Sequence, residues 1–96
     1  MNVGYEPAAR AEVSEATRWY LDVAGPTIAE AFEREIDAAV RLLLRFPGLG
    51  APGPRASRKL RLDGFPYTLH YQLDGELIRI LALAHQSRRP GYWRGR

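Results

Sequence analysis

Apolar residues change their spacing once along this chain. Ala9, Val13, Ala16 and Tyr20 fall on one helical stripe with Trp19 beside it, and Ile28, Phe32, Ile36, Ala39 and Leu43 form a second. The spacing predicts two amphipathic helices with Trp19 and Tyr20 in the core. Pro7 suits a first helical turn, Gly25-Pro26 ends the first helix and opens the second, and Pro47-Gly48 ends the second. So short a link predicts an antiparallel hairpin. A short strand near residues 3–5 precedes it.

Residues 47–57 (PGLGAPGPRAS) hold three glycines and three prolines and read as a loop. Beyond them the period is two, predicting strands over residues 58–62, 65–73 and 76–85, joined by hairpin turns at Asp63-Gly64 and Asp74-Gly75. A two-residue turn at Asp74-Gly75 sets Leu73 opposite Glu76, Tyr71 opposite Ile78, His70 opposite Arg79 and Leu69 opposite Ile80. One face then carries Leu60, Leu62, Phe65, Tyr67, Leu69, Tyr71, Ile78, Ile80, Ala82 and Ala84, and packs on the helices. The other carries Lys59, Arg61, Thr68, His70, Gln72, Arg79 and His85 with Leu77, Leu81 and Leu83. The expected fold is α+β: a strand, a two-helix antiparallel hairpin and an antiparallel three-stranded meander, with the helices on one sheet face.

With 96 residues, 46% hydrophobic and 26% charged, the chain has material for one core, so residues 1–96 are expected to form a single domain. The absence of cysteine excludes disulfides, thiolate metal sites and a thiol nucleophile, and no cofactor or metal is expected. The N-terminus lacks the pattern of a signal peptide and no apolar run reaches membrane-spanning length, which points to a cytoplasmic protein without membrane contact. Charge divides the chain unevenly. Residues 1–50 carry five basic and eight acidic side chains, and residues 51–96 nine basic and three acidic, so the second half has a net charge of +6. That half is either a solvated face or a surface for a polyanion or an acidic partner.

Candidate chemistry gathers at the end of the chain, ELIRILALAHQSRRPGYWRGR. His85 closes an apolar strand, where it either caps the turn or transfers protons near neutral pH. Arg79, set opposite His70, calls for an anion over the pair. After Arg88 and Arg89, Pro90-Gly91 turns Tyr92 and Trp93 back toward the domain, as a hydrophobic clamp or as a stacking platform, and Arg94 and Arg96 read as free. Lys59, Arg61, His70, Arg79, Arg88 and Arg89 are the candidate nucleic-acid or target-binding residues. Arg61 and Arg79 with Leu77, Leu81 and Leu83 suit an amphipathic segment with acidic flanks.

The order of elements, with A-x-x-E-x-x-x-A-x-x-W-Y at Ala9 to Tyr20, F-P-Y-x-L-x-Y at Phe65 to Tyr71 and H-x-x-R-R-P-G-Y-W at His85 to Trp93, resembles the RelE/ParE superfamily over essentially the whole chain. The resemblance implies the toxin of a type II toxin-antitoxin module, hetero-oligomeric with a cognate antitoxin. RelE-like members cleave messenger RNA on the ribosome without a metal, and ParE-like members poison DNA gyrase. Were this chain a nuclease, His85, Arg79, Arg61 and Tyr92 are the candidate catalytic residues. Thr68 stands where RelE-like nucleases carry an arginine, and with the long helix hairpin this favours the ParE-like reading.

Overall fold

A computed structural model describes all 96 residues. Strand β1 (Asn2–Tyr5) leads into α1 (Pro7–Ala24) and α2 (Pro26–Arg45); β2 (Ala51–Pro52), β3 (Ser57–Arg61), β4 (Tyr67–Asp74) and β5 (Leu77–His85) follow. The five strands form one sheet in the order β1-β5-β4-β3-β2, with β1 parallel to β5 and the other pairs antiparallel. The expected strand, helix hairpin and meander are all present. The loop expected over residues 47–57 is more ordered than its composition suggests, since it supplies β2 and a 3-10 turn at Pro54–Ala56.

Gly25 is the residue on which the hairpin reverses. Its φ of 89° is open to glycine without a Cβ penalty, and Pro26 starts α2 where a missing N–H costs nothing. On α1, Ala9 and Ala16 are buried and Val13 and Tyr20 pack at the core margin. On α2 the buried stripe is Ala29, Phe32, Ile36, Ala39 and Leu43, so Ala29 takes the place expected of Ile28, which is exposed. Trp19 is not a core residue. It is 55% exposed and lies edge-on against Tyr20, with ring centroids 5.1 Å apart. Below the hairpin, Tyr20, Phe32, Phe65 and Tyr67 form an aromatic cluster with several centroid separations near 5 Å.

Both expected turns are displaced, and the displacement spares most of the face assignment. Gly75 and Glu76 form the β4–β5 turn, with Asp74 opposite Leu77 and Gly75 at φ 60°, the first central position where a II′ turn takes glycine. Leu73 therefore pairs with Ile78, Gln72 with Arg79 and Tyr71 with Ile80. This is two steps from the expected register, so side chains keep their faces. The β3–β4 connection, expected as a two-residue turn, is longer than that. Arg61 pairs with Thr68, Leu62 N–H donates to the Tyr67 carbonyl at 2.9 Å, and Tyr67 N–H turns back to the Phe65 carbonyl at 2.8 Å, which ends the ladder.

A β-bulge then inverts the end of β5. Opposite the His70/Tyr71 step, pairing jumps from Ile80 to Ala82 and leaves Leu81 as the extra residue. Past that point Leu69 faces Leu83 and Tyr67 faces His85. Leu83, expected on the basic face, is 2% exposed within the helix-side core, whereas Ala82 and Ala84, expected in that core, are buried on the opposite face. His85 moves with Leu83. Its ring stands edge-on to Tyr67, 5.0 Å between centroids, so Arg79 and His85 do not share a face as six residues of unbroken strand require.

Candidate functional site

The face away from the helices is partly covered by the chain's own end. After β5 the backbone runs through successive turns, with Arg88 N–H bonded to His85 O, Tyr92 N–H to Arg89 O and Arg94 N–H to Gly91 O, and Gly91 adopts the φ of 74° that such a reversal needs. The turns lay Trp93 on His70, ring centroids 4.8 Å apart and planes tilted by 35°, where Trp93 is only 7% exposed. Of the two readings of Tyr92-Trp93, the tail clamp describes this packing.

One carboxylate holds the tail. Glu12 follows Ala9 by three residues and precedes Ala16 by four, so it lies on the buried stripe of α1. It points at the part of β5 that β1 leaves unpaired, since β1 pairs only as far as Ile80. There Leu83 N–H donates to Glu12 Oε1 at 3.1 Å, Arg96 Nη2 donates to the same oxygen at 2.6 Å, and the Tyr92 hydroxyl and Arg96 Nη1 donate to Oε2. Arg96 Nη2 also reaches the Leu81 carbonyl at 3.1 Å. An open sheet edge is thereby satisfied by a helix carboxylate and a tail guanidinium. Arg96, expected to be free, is the anchor of the tail.

These contacts fix protonation. Burial works to raise the Glu12 pKa, but the donors from Arg96, Tyr92 and Leu83 outweigh it and hold the carboxyl below its ordinary value. The Tyr92 phenol is pushed far up, by burial first and then by the Glu12 acceptor and its charge. Burial and the neighbouring Lys59 ammonium lower the His70 pKa against the opposing pull of Glu12.

The tail divides the face into two clefts, with Trp93 and Arg94 lining both. The first, about 360 Å³, lies toward β3 and β4; its charged residues are Lys59, Arg88, Arg89 and Arg94, and no carboxylate lines it. The second, about 470 Å³, lies toward α1 and holds Arg55, Arg79, Leu81 and Arg96 with Glu6. Arg88 stacks over the Tyr92 ring at 3.8 Å.

Of the six residues expected to bind a nucleic acid or target, the structure brings Lys59, His70, Arg88 and Arg89 together at the first cleft. Arg79 stands apart in the second, opposite Gln72 rather than His70, and its anions come from its own chain: it pairs with Asp74 and, at 3.5 Å, with Glu6. Arg61 lines a separate groove beside Leu42 and Leu60. His85 sits at the rim of the first cleft, where Ser87 N–H donates to Nδ1 at 3.0 Å, placing the ring proton of this arrangement on Nε2. Of the leucines expected to receive a partner, Leu77 and Leu81 are half-buried on this side, and Leu83 is turned into the core. The residue that sequence reasoning missed is Glu12. Its signal was a carboxylate between Ala9 and Ala16, inside a stripe otherwise apolar.

No curated protein matches the chain. A solved structure of the chromosomal ParDE TA system from P. aeruginosa has the same fold, with a TM-score of 0.78 and 24% identity over 88% of this chain and 95% of that one. The family described as the ParE toxin of type II toxin-antitoxin system, parDE, matches residues 3–90, from the first strand through the two arginines at the mouth of the first cleft. With nearly its whole length matched, the chain belongs to the ParE toxins of type II toxin-antitoxin systems, a class in which the toxin is one half of a pair with its antitoxin.

Proposed function

We propose that this protein arrests growth by inhibiting DNA gyrase in the cytoplasm and that a cognate antitoxin neutralises it in a hetero-oligomer. The observation that carries this reading is the dispersal of the groups a ribonuclease would need. Cleavage through a 2′-hydroxyl needs a base, an acid and charge stabilisation converging on one phosphate. Here the Tyr92 hydroxyl is committed to Glu12, Arg79 to Asp74 and Glu6, Arg61 lies in another groove, and the His85 ring leans on Tyr67. What the first cleft offers is positive charge for binding. For the antitoxin we propose the second cleft, where Leu81 and Arg79, continued by Leu77 outside the cleft along β5, give a strip both apolar and cationic that suits an amphipathic segment with acidic flanks.

Induced expression tests the target. Growth arrest with a DNA-damage response and intact transcripts is expected, His85→Gln should leave it within a few-fold, and truncation before Arg88 should abolish it. Transcript cleavage lost by about two to four orders of magnitude in His85→Gln, the usual worth of a general acid or base, would instead establish the RelE-like, ribosome-dependent ribonuclease.

A further inference from the structure

Three of the nine cations of the basic half are already engaged. Arg79 pairs with Asp74 and Glu6, Arg96 with Glu12, and Arg58 donates to the carbonyls of Gly48 and Gly50. Lys59, Arg88, Arg89 and Arg94 have no carboxylate partner, and these four line one cleft that contains no acid. Bringing unpaired like charges together is unfavourable, and a bound polyanion relieves it.

We propose that this cleft is a phosphodiester-binding site, in which Lys59, Arg88, Arg89 and Arg94 hold the sugar-phosphate backbone of a nucleic acid. Guanidinium groups match phosphate oxygens through paired N–H donors, and the ammonium of Lys59 adds a point charge. An acidic peptide fits less well. Such peptides add apolar anchors to their charge, whereas the hydrophobic lining here is Ala84, Tyr92 and Trp93, of which Ala84 and Trp93 are buried. The aromatic rings are also occupied, Trp93 by His70 and Tyr92 by Arg88, so no stacking platform is left for bases. Recognition is therefore of the backbone, indifferent to sequence, and carried by counterion release. The inference rests on the gyrase reading only for where such a backbone is met, namely on the DNA that gyrase handles.

The test is fluorescence anisotropy with the purified 96-residue chain and labelled single-stranded DNA, single-stranded RNA and duplex DNA of several sequences. Binding should be micromolar near physiological salt and independent of sequence. The logarithm of affinity against that of salt should slope by about −3, as four phosphate contacts imply. Arg88→Ala with Arg89→Ala, both exposed positions, should weaken binding at least tenfold and reduce the slope by about 2. Lys59→Met should reduce it by about 1, and Arg18→Ala on α1 should change neither.

Failure to bind at 50 mM salt would overturn the proposal, as would equal loss in the Arg18→Ala control. A poly-glutamate peptide of matched charge binding more tightly than the oligonucleotides would assign the cleft to acidic protein segments and overturn it too. Supercoiling assays keep this apart from the target. Oligonucleotide binding that follows Arg88 and Arg89 without any gyrase inhibition keeps the cleft and removes the gyrase reading; inhibition by a chain that binds no oligonucleotide does the reverse.

Discussion

The Glu12 carboxylate accepts a hydrogen bond from the phenolic hydroxyl of Tyr92, a residue eighty positions further along the chain. That contact joins the first helix to the tail, and through the tail it sets Arg88, Arg89 and Arg94 over the sheet. Position on α1 and the arrangement of the cleft are thus connected by a single side chain.

The strap formed by Glu12 depends on pH with a definite sign. Its carboxyl pKa is lowered from 4.5 in the folded chain, so the stabilisation is fully present above about pH 4.5 and is lost as pH falls through the lower folded value. In a Trp19→Phe background, emission from Trp93 should report the tail opening as pH falls below 4.5. Glu12→Gln should cost about 1–3 kcal/mol of stability and remove that acid transition from the Trp93 signal. A Trp93 signal equally sensitive to acid in Glu12→Gln would show that another group holds the tail.

The bulge in β5 makes a prediction in which neighbouring leucines differ. Leu83→Ala, emptying a core position against Leu69, should destabilise by about 2–4 kcal/mol, and Leu81→Ala on the half-buried face by less than half as much. Urea midpoints at constant m-value would decide it. The reverse order would restore an unbulged strand.

Tyr71 secures the start of the loop after α2. Its buried hydroxyl accepts from Gly50 N–H at 2.9 Å and donates to the Pro47 carbonyl at 2.7 Å. Tyr71→Phe leaves the Gly50 N–H unpaired and should cost about 1–3 kcal/mol, with faster amide exchange at Gly50. Gly50→Ala should be worse tolerated than its size suggests, because a Cβ there would stand 2.7 Å from the Tyr71 hydroxyl and 2.9 Å from the Lys59 carbonyl.

His70 should titrate below 6.5 by NMR, and Lys59→Met should move it upward by removing one of the two lowering influences. A histidine depressed on folding stabilises above its unfolded pKa, so this contribution is lost as pH falls through the folded value. Phosphate bound in the cleft should raise the same pKa. An unmoved titration in Lys59→Met would place the ammonium away from the ring.

Local periodicity was enough to read the architecture from the sequence. Helix stripes, the Gly25-Pro26 reversal and the alternation after residue 57 each depend on neighbours within a few positions, where propensity and burial act together. Even the two misplaced turns left most faces correct, because an even register error preserves the parity of a strand.

What the tertiary structure decided were the relations that close over long separations. The bulge at Leu81 has no local signature, yet it moved Leu83 and His85 to the helix side and separated His85 from Arg79. The neutralisation of Arg79 by Asp74 and Glu6, and the capture of Tyr92 and Arg96 by Glu12, depend on which carboxylates folding brings alongside. Composition counts charges, but pairing is a matter of distance. In this protein the sequence determined that a basic half would exist, and only the tertiary structure, through contacts such as Arg79 with Asp74 and Glu6 and Arg96 with Glu12, decided which of its cations would be left unpaired, and on which face.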